Sequence, residues 1–455
     1  MSQRLKIASL YLLAFAVDLA NMFIFNAALS TMQLEMQASV TQLAWVGTVY
    51  MLGLTVAIPV GSWLAHSFGQ RRVFIISLLV VSLAGIGGAL AINIEMVLTS
   101  RLLQGLGGGL LVPVGQAMAY RAYPREDRAH LTSVVMMVAL LVPALSPAIS
   151  GFAVDHASWR WVFAGVSVMV LGIAALALAW MPGETEEKAQ RPFDLIGFLL
   201  STVALFSLPI GLSLVAEGER MLTGALMLGV AVIAAAGYMH FALRSREPLL
   251  DLRLLSNEML RVGSIIYLCV PGVFTGANIV VALYLQSRIG LTATETGSMM
   301  IPWALMSFLA ILTTRQVYPV RGPRVLFLTG MVLESAGLLL MAVPIANVSA
   351  ATLAAFAAMG FGASLCTSAA QTAAFVSVPS ARLGEASALW NINRQISFSF
   401  GSSVMGSLLG LLMATGLAGS DDAAYHWTFV AAALLTLIPV PLVLRLKATA
   451  VNLAA

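Results

Sequence analysis

The sequence predicts an all-helical integral membrane protein. Of its 455 residues, 60% are hydrophobic and 10% are charged, and the mean hydropathy is +0.93. A soluble domain carries about 25% charged residues and could not bury this much apolar surface. The apolar residues also fall into runs of about 20 or more, the length that a helix needs to cross a bilayer.

Fourteen such runs can be counted along the chain, at approximately 7–29, 42–65, 72–92, 95–119, 131–154, 161–181, 194–216, 221–243, 262–286, 297–318, 324–344, 349–378, 385–415 and 424–445. Spans 7 and 8 lie between two more strongly charged segments, which separate two sets of six spans. The sequence therefore predicts an N-terminal six-helix bundle (1–181), a two-helix insert with its flanking segments (182–261) and a C-terminal six-helix bundle (262–455).

The basic residues indicate the orientation. With both termini in the cytoplasm, nineteen of the 24 lysines and arginines fall in cytoplasmic segments, three in outer loops and two inside spans. Membrane proteins concentrate Lys and Arg in this way, which favours an even number of spans. The basic residues are scattered over short loops, so the lipid bilayer is an expected partner and nucleic acid is not. Cys269 and Cys366 lie in apolar runs, so we expect no disulfide, metal site or cofactor.

Span 4 carries a charge inside the membrane. Arg101, Gln104 and Gly108 share one helical face, and glycines around them let another helix approach closely. A charge at this depth costs several kcal/mol unless it faces protein or water. We therefore expect Arg101 to line an internal cavity, with Gln104 beside it. The alternative is an arginine that snorkels to the headgroups.

Span 1 contains Asp18, Asn21 and Asn26. Offsets of three and eight residues keep Asn21 and, less closely, Asn26 within about 80° of Asp18 on an α-helix, so they can share a face with it. An ionisable residue inside a membrane marks a functional site, and Asp18 is a candidate proton carrier with the two amides as cavity contacts. The alternative is a structural Asp that is hydrogen-bonded to a neighbouring helix.

Two residues of the C-terminal bundle match no motif. Glu334 lies near the middle of span 11, where an acid facing lipid would be costly, so it is a candidate second proton site or a contact for a cationic substrate. A neutral Glu hydrogen-bonded between helices is the alternative. Asn278 follows Pro271 in span 9 and is a candidate cavity contact on a kinked helix.

The loop 62–72 resembles the Gly-x-Leu-Ala-Asp-x-x-Gly-x-Arg-Arg motif of the major facilitator superfamily. The chain keeps Gly69, Arg71 and Arg72 but has Ser62 in place of the glycine and His66 in place of the aspartate. Span 4 resembles the fourth-helix motif Arg-x-x-Gln-Gly-x-Gly of the same family, in which the arginine lines the cavity and is implicated in proton movement.

Other stretches resemble the fourteen-helix drug:proton antiporter branch of this family. Pro143, Pro147 and Gly151 recur every four residues in span 5, as in its antiporter motif, although Val142 and Ser146 replace glycines there. The branch's remaining signatures are similar to 158–163, 193–197 and 384–395, and the last of these contains Asn391 and Arg394.

The resemblance implies two six-helix bundles that rock about a midplane site and export small amphipathic or cationic compounds in exchange for protons. The implied location is a bacterial inner membrane, and a periplasmic adaptor is left open as a partner. The expected proton-coupling residues are Asp18, Arg101 and Glu334; the expected cavity residues are Asn21, Asn26, Gln104, Asn278, Asn391 and Arg394; the expected gating residues are Gly69, Arg71, Arg72, Pro143, Pro147 and Gly151.

Three other functions were weighed. Arg101 and Arg394 could instead contact an organic anion or a metal chelate, which would keep the transporter and change its substrate. An enzyme is disfavoured because the five histidines are scattered and none has a carboxylate at ligand spacing. A channel is disfavoured because the sequence has no filter-like repeat or ring of like charges.

Overall fold

The computed structural model describes residues 2–23, 28–38, 40–183, 192–216, 220–245, 247–291, 293–343 and 350–446, and the regular structure in these ranges is helical. We refer to the first seven helices as the N-terminal bundle. They are α1 (Gln3–Phe23), α2 (Leu29–Met36), α3 (Val40–Phe68), α4 (Gln70–Ala89), α5 (Ile94–Ala122), α6 (Arg128–His156) and α7 (Arg160–Trp180).

The next two helices form a hairpin, α8 (Leu195–Ala216) and α9 (Met221–Arg244). The remaining helices are the C-terminal bundle. They are α10 (Glu258–Tyr267), α11 (Val273–Ser287), α12 (Ala293–Ser298), α13 (Met300–Met341), α14 (Ala350–Ser377), α15 (Leu383–Thr415), α16 (Asp421–Leu437) and α17 (Val440–Leu444).

Twelve helical stretches among the described residues are long and apolar enough to cross a membrane. The predicted number was fourteen, and the two counts differ at α6 and α13. The 29-residue α6 is not among the twelve. The 42-residue α13 counts as one stretch where two spans were predicted, although Gly322 breaks it with φ 68° and ψ −176°. Forty-two residues would extend over about 63 Å, roughly twice the apolar thickness of a bilayer.

Residues 24–27, near the end of the predicted span 1, lie outside the described residues; α1 is described to Phe23 and α2 from Leu29. Two other helix boundaries show how local chemistry acts. The loop predicted between spans 10 and 11 is replaced by the break at Gly322, because glycine adopts a positive φ without the strain a side chain would cause. The irregularity predicted near Pro271 is confirmed, since Leu268–Gly272 form a π-helical turn between α10 and α11.

The hydrophobic core differs between the two ends of the molecule. We call the end that carries the connections 68–70, 122–128 and 377–383 the basic end, after its arginines. One cluster of buried residues there joins both bundles and includes Tyr11, Tyr120, Leu131, Leu326, Phe375 and Trp390.

At the opposite end, Met32, Val46 and Trp159 belong to a cluster drawn from the N-terminal bundle. Tyr284 and Tyr425 belong to another, which is drawn from the C-terminal bundle. The two bundles are thus packed together into one shared core at the basic end.

Candidate functional site

Asp18 of α1 and Tyr50 of α3 form a buried hydrogen-bonded pair in the N-terminal bundle. The Tyr50 hydroxyl donates to Asp18 Oδ1 over 2.6 Å, and it lies 3.3 Å from the Asp18 carbonyl oxygen. Asp18 is 7% exposed and Tyr50 is 1% exposed. A hydrogen bond of this length orients the carboxyl group toward Tyr50.

The glycines of α5 make room for this pair. A Cβ atom at Gly108 would collide with Asp18 Oδ1, and one at Gly105 would collide with the carbonyl oxygen of Tyr50. The close helix approach predicted from the glycine pattern is therefore confirmed. It places α5 directly against the polar atoms of α1 and α3.

Arg101 of α5 faces the protein interior. Its Nε donates to the Val46 carbonyl oxygen over 3.2 Å, and its Nη1 donates to Asn21 Oδ1 over 3.0 Å and to Gln104 Oε1 over 3.2 Å. The guanidinium carbon also lies 4.3 Å from the centroid of the Tyr50 ring, a cation–π distance. Only 1% of Arg101 is exposed, so the snorkelling alternative does not describe this structure.

Tyr50 lies between the acid and the base of this group. Its hydroxyl contacts the Asp18 carboxyl, while its ring lies beneath the Arg101 guanidinium. The arrangement brings together four predicted residues, Asp18, Asn21, Arg101 and Gln104, around one residue that the sequence analysis missed. The buried Gln104 Nε2 has no hydrogen-bond partner among the described residues, which leaves both N–H donors of this amide available.

Glu334 of α13 has very different surroundings in the C-terminal bundle. It is 0% exposed, and neither carboxyl oxygen has a hydrogen-bond partner in the part of the chain that the structure describes. Gly362 of α14 packs against it so closely that a Cβ atom there would lie 2.9 Å from the Glu334 Cβ. The side chain faces protein, as its cost in lipid predicted, but lies apart from the Asp18 group.

The other predicted cavity residues that the structure describes lie outside the hydrogen-bonded Asp18 group, although the charge of Arg394 acts on the Asp18 carboxyl. Asn278 is half-buried, with its Nδ2 3.9 Å from the Met300 sulfur. Arg394 is half-buried, and its guanidinium carbon lies 5.7 Å from the centroid of the Phe15 ring of α1, one turn from Asp18. Asn26 lies outside the described residues.

Asn391 contacts the opposite bundle. Its Nδ2 donates to Gln116 Oε1 over 2.8 Å, and the Ser387 hydroxyl donates to the same oxygen over 2.6 Å. A third cross-bundle bond runs from Gln371 Nε2 to the Tyr120 hydroxyl over 3.1 Å. Asn391, predicted to line a cavity, therefore lies in a contact between the two bundles at the basic end.

Arg128 makes the most extensive cross-bundle contact described. Its Nη1 donates to the carbonyl oxygens of Phe375 at 2.9 Å and Val378 at 3.3 Å, and its Nη2 donates to Ser380 Oγ at 2.8 Å. Its Nε donates to the Tyr120 carbonyl oxygen within its own bundle, at 3.1 Å. A cation at the C-terminal end of α14 also complements the partial negative charge of that helix end.

The predicted gating residues lie in two regions. Gly69 has φ 95° and precedes α4, where Arg71 Nη2 donates to the Leu178 carbonyl oxygen over 3.0 Å and Arg72 is exposed. His66 bonds to the Ser62 carbonyl oxygen at 2.7 Å and lies near Gly384, at the start of α15. Positions 143, 147 and 151 all fall inside the continuous α6.

A polar contact between the short helix α2 and the start of α7 fixes the opposite end of the N-terminal bundle. Glu35 of α2 accepts hydrogen bonds from Arg160 and from Trp159 Nε1, the latter over 2.5 Å. The hydrogen bond from Arg160, and to a smaller extent the one from Trp159, holds the pKa of Glu35 below its usual value. Among the residues that the structure describes, no group of three or more His, Cys, Asp or Glu side chains could hold a metal ion.

Comparison with known proteins gives the class of this protein. The sequence profile of the Major Facilitator Superfamily matches residues 11–317, and the chain belongs to this family. Its members are multi-span membrane transporters and in general are not enzymes.

Several curated relatives align over most of the chain. An uncharacterized MFS-type transporter, YhcA of Bacillus subtilis, is 26% identical over 394 residues, covering 85% of this chain and 73% of the relative. A Mycobacterium tuberculosis protein named multidrug resistance protein B homolog is 29% identical over 415 residues, covering 89% and 76%. The putative multidrug resistance protein MdtD of Cronobacter sakazakii is 28% identical over 428 residues, covering 91% and 89%.

Two solved structures share the fold. The human organic anion transporter MFSD10 superimposes with a TM-score of 0.72 at 14% identity, covering 97% of this chain and 100% of the other. The proton:xylose symporter XylE superimposes with a TM-score of 0.63 at 15% identity, covering 97% and 96%. The predicted family and all-helical fold are thus confirmed.

Proposed function

We propose that this protein is a proton-coupled antiporter that exports small amphipathic or cationic compounds by alternating access, with Asp18 as the residue that exchanges the proton. The observation that carries this proposal is the buried group of Asp18, Tyr50 and Arg101. A hydroxyl donor and a nearby guanidinium support an ionised carboxyl, while burial at 7% exposure supports a protonated one. An acid held between these opposing effects can change its charge when its surroundings change.

The proposed topology has fourteen spans with both termini in the cytoplasm. The twelve apolar stretches give fourteen spans if α13 crosses the membrane twice, once on each side of Gly322, and if α6 crosses it as well. The basic end is then the cytoplasmic end, in keeping with the positive-inside rule. The proposed division remains 1–181, 182–261 and 262–455, although α10 begins at Glu258, shortly before the last boundary.

The structure corresponds, on this proposal, to a state that is closed toward the cytoplasm. Arg128, Gln116 and Tyr120 bond across the two bundles at the basic end, where one shared hydrophobic core also forms. Loading of substrate from the cytoplasm requires these bonds to part. Alternating access then consists of their breaking and re-forming around the Asp18 group.

The proposed substrate class is supported by the names of the similar proteins. Proteins named for multidrug resistance match about nine-tenths of this chain at 28–29% identity, which supports export of amphipathic compounds from a bacterial inner membrane. The carboxyl group of Asp18 would suit a cationic substrate, which competes with the proton for the same negative charge. A periplasmic adaptor is a further partner to be tested.

The anion alternative receives less support from the site. Arg101 already donates to three acceptors within the N-terminal bundle, so its hydrogen-bonding capacity is largely used by the protein. Glu334, the other predicted proton site, has no described partner that would stabilise its charge. We therefore assign coupling in this state to Asp18 and Arg101.

The test is transport by purified protein in proteoliposomes under an imposed pH gradient. Tetraphenylphosphonium serves as the cationic probe and fluorescein as the anionic probe, and both substrate uptake and proton flux are recorded. Asp18→Asn is compared with Asp421→Asn, whose carboxyl group is exposed at the far end of the C-terminal bundle.

We expect gradient-driven transport of the cation that is lost in Asp18→Asn and kept in Asp421→Asn. Gradient-driven transport that survives in Asp18→Asn would contradict the role assigned to Asp18. Transport of fluorescein alone would instead favour the anion alternative with Arg101 and Arg394.

A further inference from the structure

The α8–α9 hairpin covers the line along which the two bundles meet. Helix α8 contacts both α3 of the N-terminal bundle and α15 of the C-terminal bundle. A single buried apolar cluster joins all of these elements, and we call it the seam cluster. It consists of Tyr50, Leu54 and Ile58 of α3, Leu205 of α8, Tyr238 and Ala242 of α9, Leu250 of the following segment, and Ala388 and Ile392 of α15.

Polar bonds fix the segment that follows the hairpin onto the hairpin itself. The Tyr238 hydroxyl donates to the Leu250 carbonyl oxygen and accepts from the Leu250 backbone N–H, each over 2.8 Å. Arg253 Nη2 donates to the carbonyl oxygens of Leu243 at 3.0 Å and Ser245 at 2.6 Å, at the end of α9. The hairpin and this segment therefore form one unit.

The same segment is bonded to the C-terminal bundle. Asp251 accepts from Arg382 over 2.5 Å at the start of α15, where Arg382 also bonds to Glu385 over 2.9 Å. Further along, Asn257 donates from Nδ2 to the Ser377 carbonyl oxygen over 3.2 Å and accepts from the Ser377 hydroxyl over 3.1 Å. Directional bonds of this kind fix position, because they are lost with small displacements.

Toward α3 the hairpin presents apolar and aromatic surface. Leu205 packs in the seam cluster with Leu54 and Ile58, and the ring of Phe193 lies 4.8 Å from that of Trp63. Apolar contact is non-directional and tolerates sliding, and it can be broken without leaving buried polar atoms unpaired. This side of the hairpin is suited to a surface that moves.

We infer that the hairpin is carried by the C-terminal bundle as a seal over the α3–α15 seam, and that α3 moves past it when the basic end opens. The inference rests on the proposed alternating access. Tyr50 is both the hydrogen-bond partner of Asp18 and a member of the seam cluster. The seal therefore keeps lipid away from the side of the proton site that faces the seam.

Spin-label distances test which bundle carries the hairpin. Labels are placed in pairs on exposed positions of the N-terminal bundle (Glu126→Cys), the hairpin (Arg244→Cys) and the C-terminal bundle (Arg321→Cys), in a Cys269→Ala and Cys366→Ala background. Arg128→Ala is added to open the basic end, and Gln116→Ala is a second opening variant if the first does not fold.

We expect opening to shift the 126–321 and 126–244 distances together while the 244–321 distance stays constant. A change in the 244–321 distance with a constant 126–244 distance would overturn the inference, because the hairpin would then move with the N-terminal bundle. A constant 126–321 distance in both opening variants would count against the proposed closure at the basic end. In that case the thiol-labelling test described next decides whether the hairpin covers α3.

Thiol labelling tests the seal directly and does not depend on transport. Leu54→Cys, 4% exposed beneath the hairpin, is reacted with a lipid-soluble maleimide. Leu205→Ala should speed this reaction about tenfold, since a cavity eases local opening. Leu222→Ala, at a position of α9 that is 76% exposed, is the matched control and should leave the rate unchanged. Equal rates in all three proteins would show that α8 does not cover α3.

Discussion

Asp18 and Glu334 are two buried acids, one in each bundle, and their surroundings differ. Asp18 accepts a 2.6 Å hydrogen bond from Tyr50, and the same tyrosine ring lies beneath the Arg101 guanidinium. Glu334 is more deeply buried, and both of its carboxyl oxygens lack a partner among the described residues. A buried charge without hydrogen bonds costs several kcal/mol, which is why the proposed function assigns the change of charge to Asp18.

The difference indicates that burial alone does not make a proton site. A coupling residue needs partners that stabilise each of its two forms, and these partners must be able to move with the conformational cycle. Asp18 has such partners on α3 and α5, whereas Glu334 packs against the backbone of Gly362. The predictions that follow test this contrast, from the largest expected effect to the smallest.

Substitution of Asp18 gives the largest expected effect. Asp18→Asn keeps an acceptor for the Tyr50 hydroxyl but cannot release a proton, so gradient-driven transport should fall to the level of empty liposomes. The thermal unfolding of the variant should change by about 1 kcal/mol or less, because the hydrogen bond can persist. A variant that unfolds on purification would instead assign Asp18 a structural role.

Substitution of Arg101 tests the basic side of the group. Arg101→Ala leaves the acceptors of Val46, Asn21 and Gln104 without their donor and should cost about 2–5 kcal/mol of stability. Arg394→Ala removes a half-buried cation that lies against the Phe15 ring and whose charge acts on the Asp18 carboxyl, and it should cost about 1 kcal/mol. Equal losses, measured by thermal unfolding in detergent, would contradict the assignment of Arg101 as the organising residue.

The two glycines beside the acids separate their roles. Gly108→Ala would push against the movable carboxyl group of Asp18 and should impair coupling more than stability. Gly362→Ala would push against the backbone of Glu334 and should cost about 1–3 kcal/mol of stability without uncoupling transport. Gly172→Ala, at a position with open space, is the control for both. If Gly362→Ala uncoupled transport and Gly108→Ala lowered only the stability, the roles assigned to Glu334 and Asp18 would be reversed.

Glu334→Gln should have a smaller effect. The amide is neutral and similar in shape, so proton-coupled transport should persist and stability should change by about 1 kcal/mol. The same proteoliposome assay measures both this variant and Asp18→Asn. Loss of coupling equal to that of Asp18→Asn would make Glu334 a second proton site and remove the contrast.

The smallest expected effect lies at the exposed contact between Glu35 and Arg160. Since the pKa of Glu35 is lowered in the folded state, its contribution to stability is present above its unfolded pKa and is lost as the pH falls through the folded pKa. Glu35→Gln should abolish this acid-dependent loss, with a stability difference of about 0.5 kcal/mol near neutral pH. Thermal unfolding from pH 3 to pH 7 measures it. Identical pH profiles for the two proteins would mean that the contact contributes nothing.

The sequence predicts which residues belong to the candidate site better than it predicts which of them contact one another. The cost of an intramembrane charge predicted that Arg101 and Glu334 face protein, and the helical spacing predicted that Arg101 and Gln104 meet. Tyr50 was missed because nothing in an apolar span indicates which of its residues will face another helix. Only the packing of α3 against the glycines of α5 places its hydroxyl on Asp18.

Other pairings could not be predicted for a similar physical reason. Asn391 was predicted to line a cavity, but a polar residue in a moving interface can serve either as a lining or as a contact, and here it bonds to Gln116. Arg128 was counted among the charges of the cytoplasmic loops. Its contact with the C-terminal end of α14 could not be predicted, because the sequence alone does not indicate which helix of the other bundle lies beside it.

The most direct measurement is proton release on substrate binding by the purified protein in weakly buffered detergent near pH 7. Tetraphenylphosphonium is added to the native protein, Asp18→Asn and Glu334→Gln. Release from the native protein and from Glu334→Gln, with none from Asp18→Asn, is the predicted result. Undiminished release from Asp18→Asn would contradict the assignment of the proton site to Asp18.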